Sequence, residues 1–517
     1  MYEEKDKRPR FETFYLPWGG HLDGENRWVK LEALIPWDAV EAKYKTHFKQ
    51  KKGRKAKNVR VALGALLIRE KFRYTDEETA EQVRENPYLQ YFLGYDAFEY
   101  VFRFEASMMV HFRKRLGGDA IREINEMIAT QHQLEKERLE REKQERKAKK
   151  GSENDKDGSG DNTGNHGQLL LDATCAPQDI RHPHDVTLLS ESREKLEGII
   201  DTICEAAPEV IEKPRTYRIR ARVQYLTFIR GRRRTRQEIR RATRKQLGYI
   251  RRDLRHIAKL IETYGSEALS ARQKRDYEVI QKIYEQQRYL YTNKTHSVPN
   301  KIISIAQDHV RPIARGKAAR PFEFGAKISV SVTDGRMVFI DRLDWEPYNE
   351  CHDLQMQVER YRKRFGHYPE SVHVDKIYRT HENRAWCTER GIRLSGMPPG
   401  RPLARTEENR ALIRKLRKQL KRDDAIRQAV ESVFGVGKRR YGMGLIKEKT
   451  KLTSEASINL CALLMNLETI LRDRMRGFIL RLWKWLGLEL LSSAFCYFPN
   501  GALRKTYAEF SGILSCA

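Results

Sequence analysis

The 517-residue chain carries 100 Lys and Arg against 71 Asp and Glu, a formal charge of +29. An excess of that size calls for a polyanionic partner, since it otherwise only repels itself, and nucleic acid is the leading one. A mean hydropathy of −0.73 and the lack of any run near the roughly 18 apolar residues of a spanning helix argue against an integral membrane protein.

Length alone suggests roughly three domains. The opening MYEEKDKRPRF has no apolar segment of the secretory kind. Seven scattered cysteines without a CxxC pair argue against a disulfide framework or zinc cluster and for a reducing, cytoplasmic setting.

Residues 1–150 read as a helical DNA-binding or dimerisation domain. Val61–Ile68 is a buried helical run, and Thr75-Asp76-Glu77-Glu78 has capping-box spacing. That helix should stop at Asn86-Pro87, where Pro87 opens another that Gly94 ends. Residues 151–167 are rich in Gly, Ser, Asn and Asp and read as a flexible linker.

Residues 168–470 form the next unit, and 471–517 a helical tail whose amphipathic stretch Phe478–Phe498 suits closing the preceding domain or pairing subunits. Gln168–Thr174 has the pattern of a buried strand ending near an acid. A basic helical insertion follows at about 200–310; Arg215–Arg255 holds 16 Arg or Lys against only Glu238 and Asp253. So one-sided a charge favours contact with DNA phosphates, with Arg232, Arg233, Arg234 and Arg236 at its centre.

Strands return at Ala326–Thr333 and Met337–Ile340, joined by the hairpin signal Asp334-Gly335. A helix over Asn349–Phe365, a strand Ser371–Asp375, a short strand Gly391–Leu394 and a basic helix from Glu407 to Phe434 complete the unit. Gly435-Val436-Gly437 is expected to end that last helix.

Two strands ending in Asp and a covering helix with Glu make a cradle suited to phosphodiester chemistry. Hard divalent cations take carboxylate oxygens, and a pair of them stabilises both the attacking and the leaving oxygen. The chosen acids are Asp172, Asp375 and Glu431. Asp341, Asp344, Glu346, Asp353 and Asp185 rank below them, as turn or loop acids. The His182-Pro183-His184 stretch lacks zinc-site spacing and reads as a loop.

The local contexts of the three acids carry a resemblance. Asp172-Ala173-Thr174 resembles the first-acid motif of bacterial insertion-sequence transposases of the DDE type. Asp375-Lys376-Ile377-Tyr378 is similar to the second, with Ile377 in place of a common Gly. Arg427, Glu431 and Lys438 resemble the basic-acid-basic signature around the last acid, with Asp424 where a Tyr is usual. The segments QYFLGYDAF, HYPESVHVDKIYRTHENRAWC and ESVFGVGKRRYGMG resemble the IS-five-like group, and TDEETAEQVRENPYLQYFLG its N-terminal helical transposase domain.

The resemblance, over roughly 55–115, 168–200 and 298–470, implies an α/β ribonuclease-H-like catalytic core: a mixed sheet flanked by helices, with a large helical insertion after the first strand and an all-α N-terminal domain. It implies DNA cleavage at transposon ends and 3′-hydroxyl strand transfer into target DNA. Asp172, Asp375 and Glu431 would bind two Mg²⁺ ions, with Mn²⁺ as a substitute. Lys376, Tyr378, Arg379, Arg427, Lys438, Arg439 and Arg440 would contact DNA, Tyr378 by stacking on a flipped base. The implied partners are terminal inverted repeats, target DNA and a second copy of the chain, in the bacterial nucleoid. A metal-dependent nuclease without strand transfer and an inactive DNA-binding protein remain as alternatives.

Overall fold

In the computed structural model, residues 10–46, 48, 56–150, 164–206, 212–315, 321–397, 400, 404 and 406–485 are described. Most of the expected linker and the tail beyond 485 lie outside the described residues, as do the side chains of 143–150 and 476–485.

Six helices precede the sheet: α1 (Arg27–Glu32), α2 (Trp37–Lys45), α3 (Val59–Phe72), α4 (Asp76–Glu85), α5 (Pro87–Phe92) and α6 (Ala106–Lys150). The capping box forms as the spacing requires: Thr75 Oγ accepts from the Glu78 amide, and the Glu78 carboxylate from the Thr75 amide. Asn86 both ends α4 and caps α5. Among the described residues before 150 helices predominate, and a parallel bridge links Tyr15 to Ala97.

Strand β1 (Gln168–Pro177) leads into α7 (Asp185–Ala206), α8 (Arg218–Arg230), α9 (Arg236–Tyr264) and α10 (Ala271–Asn293). The chain returns through β2 (Arg311–Ala314), β3 (Phe322–Thr333), β4 (Val338–Asp344), α11 (Leu354–Phe365), β5 (Ser371–His373), α12 (His381–Glu389), β6 (Arg393–Leu394), α13 (Glu407–Arg440) and α14 (Lys451–Trp485). Strand β2, not expected from the sequence, lies at the sheet edge.

The sheet is mixed, in the order β2-β3-β1-β5-β6, with β4 also on β3. β1 runs antiparallel to β3 and parallel to β5. The turn between β3 and β4 departs from a simple Asp-Gly pair: Arg336, not Gly335, takes the left-handed conformation at φ 62°. A Cβ at Gly335 would stand 2.1 Å from Gln133 Oε1, so that side chain would have to shift to admit one.

Two apolar cores result. One joins the N-terminal helices, the sheet and α14 without a break. Asn466 on α14 ties it together, donating to Asn125 Oδ1 of α6 and to the Val338 carbonyl of β4, both at 2.8 Å. The second belongs to α7, α9 and α10, with Ile302 and Ile305. In α9 the apolar positions Leu247, Ile250, Ile257 and Leu260 recur at helical spacing and face that core. The basic residues Arg236, Arg240, Arg241 and Arg244 are exposed on the same helix.

Candidate active site

Parallel pairing brings the first two acids level. Leu170 stands opposite His373. Two residues further along each strand direction are Asp172 and Asp375. Asp172 lies within β1, opposite Val330 of β3. Asp375 follows the end of β5, at the start of a single 3₁₀ turn over Lys376–Tyr378.

The third acid arrives on α13, whose buried Val430, with half-buried Ile426, Val433 and Phe434, packs on the main core. The helix does not end at the two glycines: it continues to Arg440. Gly437 is instead a point of close packing, where a Cβ would meet Met465 Sδ of α14 at 3.1 Å. Continuation aligns α13 with β1. From Glu431 to Lys438 the helix rises about 10 Å, near the span of Asp172 to Cys175 along the strand. Lys438 Nζ accordingly lies 4.0 Å from Glu323, and both groups reach the electrostatic surroundings of Cys175.

Arg427 joins the acids. One guanidinium nitrogen is 3.5 Å from Asp375 Oδ1 and 3.4 Å from Glu431 Oε1. The two carboxylates therefore share one cation. Their side chains remain 58% and 62% exposed, open to a ligand from solution. Asp172 is half-buried, and burial pushes its carboxyl up to about 6. The Ala173 amide, donating to Asp172 Oδ1 at 2.8 Å, opposes that shift; nearby Asp375 and Glu350 add to it, and Arg427 again opposes it.

A pair of carboxylates on one cation, beside a third disfavoured as an anion by its surroundings, suits a hard divalent cation in chemistry. Among the described residues, however, no three His, Cys, Asp or Glu side chains cluster closely enough to hold a metal ion as they stand.

Tyr378 requires a correction. Its ring is fully buried, at 0% exposure, so no face is presented for stacking on a base. Its hydroxyl has no hydrogen-bond partner, and burial raises its pKa, with Glu350 and Asp172 the nearest negative charges in effect. Arg379 is half-buried and donates to the Val374 carbonyl at 2.8 Å, bracing the strand end. Lys376, Arg439 and Arg440 are exposed, as are Arg232, Arg233, Arg234 and Arg236.

The other acids are engaged elsewhere. Asp341 takes Arg364 at 2.8 Å, Asp344 takes Arg342 at 3.0 Å, Glu346 takes Arg311 at 2.9 Å, Asp353 takes Ser329 at 2.6 Å and Asp185 takes Gln287 at 2.9 Å. Glu350, ion-paired with Lys327, is the neighbour that sequence reasoning missed. It lies in a 3₁₀ turn rather than at a strand end, and no local pattern marks it.

Two family models match the chain: the Transposase DDE domain over residues 372–468, and the Transposase domain (DUF772) over residues 17–115. Both matches support placing the chain among the DDE transposases of insertion sequences. The DDE-domain match contains Asp375 and Glu431, while Asp172 precedes it. The chain is also 32% identical over 96 residues to the "Uncharacterized protein ORF8 in nfe locus" of Rhizobium meliloti. That stretch is 19% of the chain and 46% of the relative, so the match spans about half the relative's length. No solved structure matches. Among the described residues no helix is long and apolar enough to cross a membrane.

Proposed function

We propose that Asp172, Asp375 and Glu431 are the catalytic acids of a transposase that cuts DNA at transposon ends and joins the freed 3′-hydroxyl to target DNA. The observation that carries this reading is the sharing of Arg427 by Asp375 and Glu431, with Asp172 in their electrostatic surroundings. The three carboxylates would hold two Mg²⁺ ions, which when bound stabilise charge on the attacking and leaving oxygens.

The chain's own groups supply the rest. Arg427 holds Asp375 and Glu431 near each other and offsets half of their charge. Val430 seats α13 so that Glu431 faces outward beside it. Lys376, Lys438, Arg439 and Arg440 flank the acids and would position the phosphates on either side of the cut. The residues before 150 would recognise the transposon's terminal inverted repeats. The insertion between β1 and β2 would grip the backbone, and a homodimer would bring two ends together. In-line displacement at one site needs no covalent protein–DNA intermediate.

Joining of supplied 3′-hydroxyl DNA ends to a plasmid in Mg²⁺ tests this. The wild type is expected to join, and Asp172→Asn to lose joining by at least about 100-fold while keeping its DNA affinity. Cutting without joining would instead identify a nuclease. Unchanged activity in Asp172→Asn would remove the acid from the mechanism.

A further inference from the structure

Helices α8 and α9 and the loop between them wall an open cleft of about 230 Å³, lined by Phe228, Arg233, Arg234, Glu238, Arg241 and Lys245 among others. Its acid is already engaged: the Glu238 carboxylate accepts from the Thr235 amide at 2.8 Å and from the Thr235 hydroxyl at 2.9 Å, closing the N-terminal cap of α9. Arg234 is fixed across the Phe228 ring, 5.0 Å from its centroid, and donates to the Ile229 carbonyl at 2.8 Å. The cleft thus offers four basic side chains in a space that admits one phosphate with its sugar. A duplex, with grooves alone roughly 6 to 12 Å wide, does not fit.

Seven residues beyond Glu431 on α13, Lys438 lies 4.0 Å from Glu323 of β3. The next residue of β3, Phe324, meets the His182 ring edge-on at 5.4 Å, and His182 lies 5.0 Å from His184. His184 in turn lies within the field of Arg234 at the cleft.

The four cations less the Glu238 carboxylate leave a net charge of +3, more than one phosphodiester, with a single negative charge, requires. They match a terminal phosphate, which carries about −1.5 to −2 at neutral pH. Hydrolysis that frees a 3′-hydroxyl leaves such a phosphate on the 5′ end of the other fragment. We propose that the α8–α9 cleft captures the 5′-terminal phosphate of the DNA strand released by the cut, with Arg233, Arg241 and Lys245 on the phosphate and the Phe228–Arg234 pair against the adjoining nucleotide. The choice of a 5′ end rests on the cleavage chemistry proposed above; the preference for a phosphate monoester rests on the cleft alone.

Binding of a 3′-labelled single-stranded oligonucleotide to the full-length protein, followed by fluorescence polarisation without divalent metal, tests this separately from catalysis. A 5′-phosphate is expected to bind roughly tenfold more tightly than a 5′-hydroxyl on the same sequence. Arg241→Ala with Lys245→Ala should abolish that preference while leaving the 5′-hydroxyl oligonucleotide within about twofold. A 5′ preference below twofold in the wild type overturns the proposal. So does a preference that survives the double substitution, or an equal loss on both oligonucleotides, which would mark a general basic surface. Because no turnover is read, the result stands whether or not Asp172 proves catalytic.

Discussion

At the scale of single residues, the positions proposed for the site are marked in the sequence where local pattern and burial agree. Asp172 and Asp375 stand at or near the ends of apolar runs, and Glu431 follows a buried stripe position; strand and helix periodicity exposes all of these. Tyr378 was misread because spacing does not report depth: three residues beyond Asp375, its ring is fully buried. Asp253 shows the same limit. In sequence it is one of two acids in a basic run, yet in the structure it is fully buried, and neither carboxylate oxygen has a hydrogen-bond partner. Burial raises its pKa from 3.8 to about 7, with Glu197 adding and Arg193, Arg252 and Arg218 opposing. The folded state therefore holds a proton that the unfolded state has lost between those values, and this group's contribution to stability falls as pH rises across that window. Asp253→Asn is expected to raise the melting temperature at pH 8, by on the order of 2 kcal/mol in stability, and to have little effect at pH 4. Thermal melts at the two pH values check this, and an equal effect at both would show that Asp253 is not titrating there.

At the scale of elements, the helix signals were the more readable. Thr75 to Glu78 closes its capping box, Pro87 opens α5 and Glu407 opens α13 because these depend on neighbours within one turn. The expected helix stop at Gly435 to Gly437 failed for a tertiary reason: packing of α13 on α14 outweighs the propensity cost of two glycines, about 1 kcal/mol each. Strand β2 escaped notice because four residues carry too little pattern, and its place is set by β3. The same meeting of strands makes Gly325 indispensable. It pairs with Pro177 of β1 on one side and Arg311 of β2 on the other. A Cβ there would stand 2.1 Å from the Ala176 carbonyl oxygen, a backbone atom that cannot swing away. Gly325→Ala is expected to destabilise the protein by about 2 kcal/mol or more, seen as a lower denaturation midpoint. An unchanged midpoint would mean that β1 and β3 separate there without cost.

At the scale of the whole molecule, composition indicated a polyanionic partner and the order of elements indicated a mixed sheet, but neither revealed how the cores divide. The residues before 150 share one apolar core with the sheet and α14, whereas the insertion encloses its own. Long-range packing of that kind leaves no trace in chain order. A fragment beginning at Gly164 would expose the face of α14 that Asn125 and its helix cover. It is expected to be insoluble or to lack a cooperative melt, and co-expression with residues 1–150 should restore one; a fragment that melts cooperatively alone would show the cores to be separable. The central claim is that three distant carboxylates act as one unit on a phosphodiester. Strand joining by Asp172→Asn, Asp375→Asn, Glu431→Gln and the triple variant tests it most directly. Each single change is expected to cost about 100-fold or more, with the triple no worse than the singles. Any one of the three retaining joining within tenfold of wild type would contradict it.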